Sequence, residues 1–152
     1  MAIALAESLA TVGDIDEERL GDKFREHFTR EPWRGYGPGP PAIFKHVAAS
    51  GSSYAQAARV LYGGQGSLGN GAAMRIGPLA LHFFDCPELY DKAEKSARVT
   101  HAHAVGIDGA AVQARAIALA LTSKSGETLH AQSFVDRKST RLNSSHLVIS
   151  YA

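Results

Sequence analysis

The chain has 152 residues, enough for one ordinary domain with a sizeable core, and its 16 Lys and Arg residues nearly balance its 15 Asp and Glu residues. This near-neutral charge excludes a whole-protein electrostatic field that would favour nucleic acid or an anionic membrane as partner. The single cysteine, Cys86, excludes an internal disulfide and fits a reducing compartment. The N-terminus has no basic n-region, and no apolar run approaches the roughly 20 residues of a membrane span, so we expect a cytoplasmic protein.

Apolar periodicity predicts an all-α protein. The first predicted helices are residues 1–10, ended by Gly13, a helix from Asp14 or Asp16 to about Arg30, a short helix with Pro41 in its first position, and a helix capped by Ser52 or Ser53. Residues 72–84 form a predicted helix that Pro78 kinks or splits, and a further helix is predicted over 125–134. Between them, Pro87 opens a predicted helix with an apolar stripe through Leu89, Ala93, Ala97 and Thr100. Residues 105–109 are predicted as a turn, and Asp108 within this turn is predicted to cap an apolar helix over 110–121. Because that last helix is apolar on most faces, we expect it to lie centrally in the bundle.

Two sets of polar residues invite a metal interpretation. Asp14 and Asp16 stand two apart, but Glu17 and Glu18 follow them, and an acidic first turn that complements the helix dipole is the favoured interpretation. His101 and His103 also stand two apart, which on a helix would point them to different faces and make them poor ligands of one metal ion.

A glycine-rich stretch from Gly66 to Arg75, GSLGNGAAMR, separates two helical patterns. Glycine lets a ligand approach the backbone, and a loop that opens a helix offers N–H groups suited to a phosphate. Ser67 and Asn70 add hydrogen-bonding side chains, and Arg75 adds charge one turn later. The alternative is a tight loop between two packed helices.

The same region contains Gly64-Gln-Gly66-Ser-Leu-Gly69, which fits the G-x-G-x-x-G dinucleotide pattern. That pattern is meaningful only after a strand and inside a βαβ unit, whereas the preceding residues 54–61 are alanine-rich and helical. No Gly-Lys-Ser/Thr sequence follows, so a Walker loop is excluded as well.

Three motifs taken together resemble the ADP-ribosylglycohydrolases. They are Arg34-Gly-Tyr-Gly37, the stretch Gly66–Arg75, and Thr100-His101 followed by Gly106-Ile-Asp-Gly109. The resemblance covers about residues 1–134 and implies a partial orthogonal multi-helix bundle of that family's type.

The resemblance also implies an activity and a site. Members of this family are Mg²⁺-dependent hydrolases that cleave the glycosidic bond between ADP-ribose and a modified acceptor, with two Mg²⁺ ions in a cleft and a monomeric full-length protein. By resemblance, the ADP-ribose-binding residues are Gly66, Ser67, Leu68, Gly69, Asn70, Gly71 and His101. Loop N–H groups would contact the diphosphate, and His101 would face the phosphates.

The family's metal motifs do not occur in this sequence. A Thr-Asp-Asp motif is expected immediately before the helix that begins here at Met1, and a second Asp-rich motif is expected far downstream. We therefore expect an internal fragment that is itself inactive, with no catalytic residue or metal ligand within 1–152. The alternative is a non-catalytic ADP-ribose-binding or crystallin-like structural relative.

The last residues depart from the helical pattern. The domain prediction is a partial glycohydrolase domain over 1–135 and a non-native tail over 136–152, which resembles a translated adapter sequence. The alternative is a genuine exposed tail that ends in a short strand, LVISY.

Overall fold

The computed structural model describes residues 1–124, which form an all-α bundle without any strand in that range, as the periodicity predicts. The helices are α1 (Ala2–Val12), α2 (Glu17–Arg30), α3 (Gly39–Ser50), α4 (Tyr54–Arg59), α5 (Leu61–Gly64), α6 (Gly71–Arg75), α7 (Gly77–His82), α8 (Leu89–Arg98) and α9 (Ala104–Thr122). The helix predicted over 125–134 and the tail predicted over 136–152 lie outside the described residues.

Local capping signals place the first two helices. Gly13 adopts a left-handed conformation with φ of 74°, and its N–H donates to the carbonyl of Leu9 at 2.8 Å, which ends α1. The carboxylate of Asp16 then accepts from the backbone N–H of Arg19 at 3.0 Å and caps α2. Both predictions from the sequence are confirmed.

Two helix starts differ from the sequence prediction by two residues. Helix α3 begins at Gly39 rather than at Pro41, because both prolines after Gly39 fall in the first turn, where a missing N–H costs no intrahelical hydrogen bond. Helix α8 begins at Leu89 rather than at Pro87. Ser53 caps α4 as predicted, in a reciprocal capping box with Gln56.

The core is one cluster of buried apolar side chains that contains residues of α1 to α4 and of α6 to α9. Its largest fully buried apolar side chains are Leu5, Leu20, Phe24, Ile43, Tyr54, Ile76, Leu79 and Val99. The apolar stripe predicted for α8 is confirmed, since Leu89, Ala93, Ala97 and Thr100 are all buried. Pro78 splits its predicted helix into α6 and α7, as anticipated.

The turn predicted over Val105–Gly109 is wrong. These residues form the first turns of α9, and His103 caps this helix by accepting the N–H of Val105 on Nδ1 at 3.2 Å. Asp108 therefore lies inside the helix, where its carboxylate accepts the hydroxyl of Tyr90 at 2.8 Å. Of the two glycines that indicate a turn here, Gly106 packs closely against Ser67 and His101, whereas a Cβ at Gly109 would meet no atom within 4 Å.

Helix α9 packs against α6, α7 and α8 through one face only, with Ala110, Ala114 and Ala118 buried there. Val105 and Leu121 are about half exposed, so the central position expected for this helix is wrong within residues 1–124.

At 19 residues with a mean hydropathy of 1.4, α9 also reaches the length and composition of a membrane span, contrary to the prediction that no run does. Length and composition alone are weak support for a span, because the core helix of a globular domain meets the same criteria.

Candidate functional site

The glycine-rich loop lies between α5 and α6 and is held against the segment that joins α8 to α9. Gly66 has φ of 72°, and a Cβ at this position would lie 2.8 Å from the Cβ of Ala102 and 2.8 Å from the backbone nitrogen of His103. Only glycine satisfies both the left-handed backbone and this close approach. Gly66 therefore fixes the loop on the 99–103 segment.

His101 is buried beneath the loop, with 6% of its surface exposed. Its backbone N–H donates to the carbonyl of Ala97 at 2.8 Å, and its Nδ1 lies 2.7 Å from the hydroxyl oxygen of Thr100, which is itself buried. The Nδ1 contact and the burial of the ring orient the imidazole, so its other nitrogen, Nε2, has a fixed direction. His101 lies outside any helix, so the sequence argument about opposite helix faces does not apply to it.

The Nε2 edge of His101 faces two of the predicted loop glycines. A Cβ at Gly71 would lie 3.1 Å from Cε1 and 3.3 Å from Nε2 of the ring, and a Cβ at Gly69 would lie 3.8 Å from Nε2. The hydroxyl of Ser67 accepts the N–H of Gly69 at 3.3 Å. The structure thus brings the loop and His101, about 30 positions apart in sequence, into one site.

The crest of the loop is open to solvent. Leu68 is 62% exposed, and Gly69 and Asn70 are also exposed. Asn70 stands at the N-terminus of α6, yet its side chain makes no capping hydrogen bond there. An open backbone and an uncommitted amide leave groups that a polar ligand can contact.

Gly106 contributes to the site, although the sequence pattern predicts a turn at this position. A Cβ there would lie 2.7 Å from the backbone carbonyl oxygen of Ser67 and 3.4 Å from the ring of His101. This contact explains why the first turn of α9 contains glycine despite its poor helix propensity. The signal that could have revealed this role is a glycine at helical spacing inside a run that is otherwise apolar.

The electrostatics of the site keep its imidazole neutral. Burial, reinforced by the positive charge of Arg75, lowers the pKa of His101 to about 4. At neutral pH the ring therefore carries one proton, and either ring nitrogen can hold it.

Arg75, which adds charge one turn after the loop in the sequence, is a buried side chain. It is 3% exposed, its Nη2 donates to the carbonyl of Ser96 at 2.9 Å, and its guanidinium lies 4.8 Å from the ring centroid of Phe24. The short helix α6 carries this side chain inward, onto the aromatic core.

Tyr62 is a second residue near the loop that no sequence motif singles out. It has φ of 53° and ψ of 47°, and it is the non-glycine residue with positive φ within 1–124. Such a conformation costs about 1–2 kcal/mol per residue for a residue with a Cβ. No sequence signal marks it beyond the glycine pair that follows.

The donor set of the described residues does not fit a Mg²⁺ centre. Asp16 caps α2, whose first turn contains Glu17 and Glu18, and Asp14 accepts from Lys92 Nζ at 2.6 and 2.7 Å, so both aspartates have structural partners. Within residues 1–124 no group of three or more His, Cys, Asp or Glu side chains is placed to hold a metal ion. Mg²⁺ requires a near-octahedral oxygen cage, and this range supplies none.

Comparison with known proteins shows which family the chain belongs to. Residues 1–147 match the family model described as ADP-ribosylglycohydrolase. The chain belongs to the ADP-ribosylglycohydrolase family. It is similar to ADP-ribosylhydrolase ARH3 of Bos taurus, at 36% identity over 126 residues that cover 82% of this chain and 34% of the bovine protein.

Two further family members show the same relationship. ADP-ribosylhydrolase ARH3 of Homo sapiens is 36% identical over 126 residues, covering 82% of this chain and 35% of the human protein. The Xenopus tropicalis protein of the same name is 33% identical over 138 residues, covering 90% of this chain and 38% of its own length. The chain thus spans about a third of the length of the curated relatives it matches.

Proposed function

We propose that the loop from Gly66 to Gly71, together with His101, binds ADP-ribose or the ADP-ribosyl group of a modified protein. The observation that carries this proposal is the contact between the Nε2 edge of His101 and Gly69 and Gly71. It joins an open glycine backbone to an oriented ring nitrogen, which suits the oxygens of a diphosphate. Membership of the ADP-ribosylglycohydrolase family supplies the substrate class.

His101 acts in this proposal as a neutral hydrogen-bond donor. When the hydroxyl of Thr100 donates to Nδ1, the single imidazole proton resides on Nε2, which faces the loop. A neutral donor held by Thr100 loses little entropy on binding, because its direction is fixed before the ligand arrives. The exposed loop crest at Leu68, Gly69 and Asn70 adds backbone and amide groups.

The reaction we propose for the parent protein is hydrolysis of the glycosidic bond between ADP-ribose and its acceptor, the reaction type implied by the family. Mg²⁺ would supply Lewis-acid and template chemistry in such a reaction. Since the described residues do not fit a Mg²⁺ cage, we derive no step through the metal. The described range provides the binding half of the site, and we expect the 152-residue chain to bind without turning over.

Calorimetric titration of ADP-ribose tests the binding proposal. Replacing His101 by Ala removes one hydrogen bond to a charged group, a loss of roughly 1.5–3 kcal/mol or about 10- to 140-fold in affinity. His46→Ala, at an exposed position of α3, is the matched control and should leave the affinity unchanged. Equal affinities of the two variants would overturn the assignment of His101.

A hydrolysis assay tests the expectation that the 152-residue chain binds ADP-ribose without turning over a substrate. The purified chain is incubated with an ADP-ribosylated peptide and Mg²⁺, and released ADP-ribose is measured. We expect none from this chain. Turnover that EDTA abolishes would show that residues 1–152 hold a metal site, and it would contradict the structural interpretation of Asp14 and Asp16.

A further inference from the structure

A small cavity lies beside the loop site without being part of it. Its volume is about 140 Å³, and its lining residues are Ala55, Arg59, Arg98, Ala102 and Ile107. They come from α4, the end of α8, the 99–103 segment and the first turns of α9. The lining includes neither His101 nor any residue of the loop from Gly66 to Gly71. The cavity is therefore a second place at which a ligand can contact the chain.

Two guanidinium groups line this cavity from different helices. Arg59 is the last residue of α4, and Arg98 is the last residue of α8. A cation at the end of a helix complements the helix dipole, but this role alone does not bring two such side chains to one cavity. The other lining side chains are apolar, so the cavity combines positive charge with an apolar wall.

The positive charge at the cavity exceeds that of its internal partners. Nη2 of Arg98 donates to Oε1 of Glu94 at 2.6 Å, so this guanidinium already has a carboxylate partner. Arg59 makes no hydrogen bond or ion pair with another residue of the described range 1–124. Two cations beside one carboxylate leave one positive charge for a ligand to balance.

We propose that this cavity binds a small monocarboxylate, whose carboxylate group pairs with Arg59 and whose hydrocarbon body lies against Ala102 and Ile107. The planar guanidinium matches a carboxylate in shape and can pair with it through two parallel hydrogen bonds. A cavity of about 150 Å³ holds a benzene molecule. The cavity in this chain has nearly that volume and admits a short-chain acid of similar size.

A phosphate monoester fits the charge of the cavity less well. It carries roughly 1.5 to 2 negative charges at neutral pH, which is more than one unpaired guanidinium balances. The proposal of a carboxylate site does not rest on the proposal that the loop binds ADP-ribose.

Butyrate, which has as many non-hydrogen atoms as benzene, is the probe, and it is titrated into the ¹⁵N-labelled 152-residue chain. Butyrate replaces chloride at constant ionic strength, so general screening does not change. We expect saturable shifts at the amides of Ala102 and Ile107. Butyramide, which has the same size but no charge, should cause no saturable shift at the same concentrations.

Two variants should change the dissociation constant of butyrate in opposite directions. Arg59→Met removes the unpaired charge and should weaken binding about tenfold. Glu94→Gln removes the carboxylate partner of Arg98 and should tighten binding, because the second guanidinium then has no internal anion. Arg115→Met, at an exposed position of α9 outside the cavity, is the matched control and should bind butyrate like the wild type.

The proposal is overturned if butyrate shifts these amides no more than chloride does, or if butyramide shifts them as strongly as butyrate. Both comparisons use the wild-type chain, so they give an answer even if a variant does not fold. Equal affinities of Arg59→Met and the wild type would also overturn it. Weaker binding by Glu94→Gln would contradict the charge balance on which the proposal rests.

Discussion

Gly71 and His101 are packed so closely that a Cβ on Gly71 would lie 3.1 Å from the imidazole Cε1. Gly71→Ala therefore has to displace the ring or the loop by a few tenths of an ångström. We expect ADP-ribose affinity to fall several-fold and the melting temperature to change little. Gly77→Ala is the matched control, because a Cβ at Gly77 would meet no atom within 4 Å. Equal affinities of the two variants would argue against a shared site.

The two glycines of the first turns of α9 should respond in opposite directions to substitution. Gly106→Ala places a methyl 2.7 Å from the carbonyl oxygen of Ser67, so it should lower the free energy of unfolding. Gly109→Ala meets nothing within 4 Å and should raise it by up to about 1 kcal/mol through helix propensity. Urea unfolding of both variants measures the difference. A stabilising Gly106→Ala would show that the contact with the loop is not tight.

Stability should fall as the pH drops below 6.5, because of His101. Its pKa is about 4 in the folded chain against an ordinary value near 6.5, so the unfolded chain takes up the proton first. The contribution of the neutral His101 to the free energy of unfolding is fully present above pH 6.5 and is lost as the pH falls toward 4. His101→Gln should flatten this slope between pH 6.5 and 5, where Glu7, with its lowered pKa, does not yet titrate. Equal slopes for wild type and variant, measured by urea unfolding, would contradict the burial of a neutral imidazole.

Metal removal should leave ligand binding unchanged. Because Asp14 is engaged by Lys92 and Asp16 caps α2, neither is free to hold Mg²⁺ beside the loop. We expect the same ADP-ribose affinity in Mg²⁺ and in EDTA, and the same affinity for Asp14→Asn. A calorimetric affinity that rises with Mg²⁺ and loses this dependence in Asp14→Asn would show that Asp14 is a ligand after all.

Elements set by local chemistry are predictable from the sequence. Gly13, Asp16 and Ser53 each end or begin a helix through hydrogen bonds to residues within four positions, so their roles are visible in short windows. The glycine-rich loop is recognisable for the same reason. The family resemblance, rather than local pattern, joins His101 to it.

Features that depend on contacts between distant segments are not predictable in this way. The local pattern around Gly106 indicates a turn. It does not reveal the close approach of Gly106 to Ser67, because that contact joins positions 39 apart in sequence. The sequence shows Arg75 as a charge one turn after the loop, and nothing in it shows that α6 turns this side chain toward Phe24 and Ser96. In both cases tertiary packing overrides the usual preference of the residue type.

The central claim is that the loop and His101 form one ADP-ribose site, and NMR titration of the ¹⁵N-labelled chain tests it most directly. On addition of ADP-ribose, we expect the largest shifts at the amides of Gly69, Asn70 and Gly71 and at the ring of His101. The amides of α3, including that of the exposed His46, should stay unchanged. Shifts confined to other helices, or saturable binding that leaves the loop and His101 unperturbed, would contradict the claim.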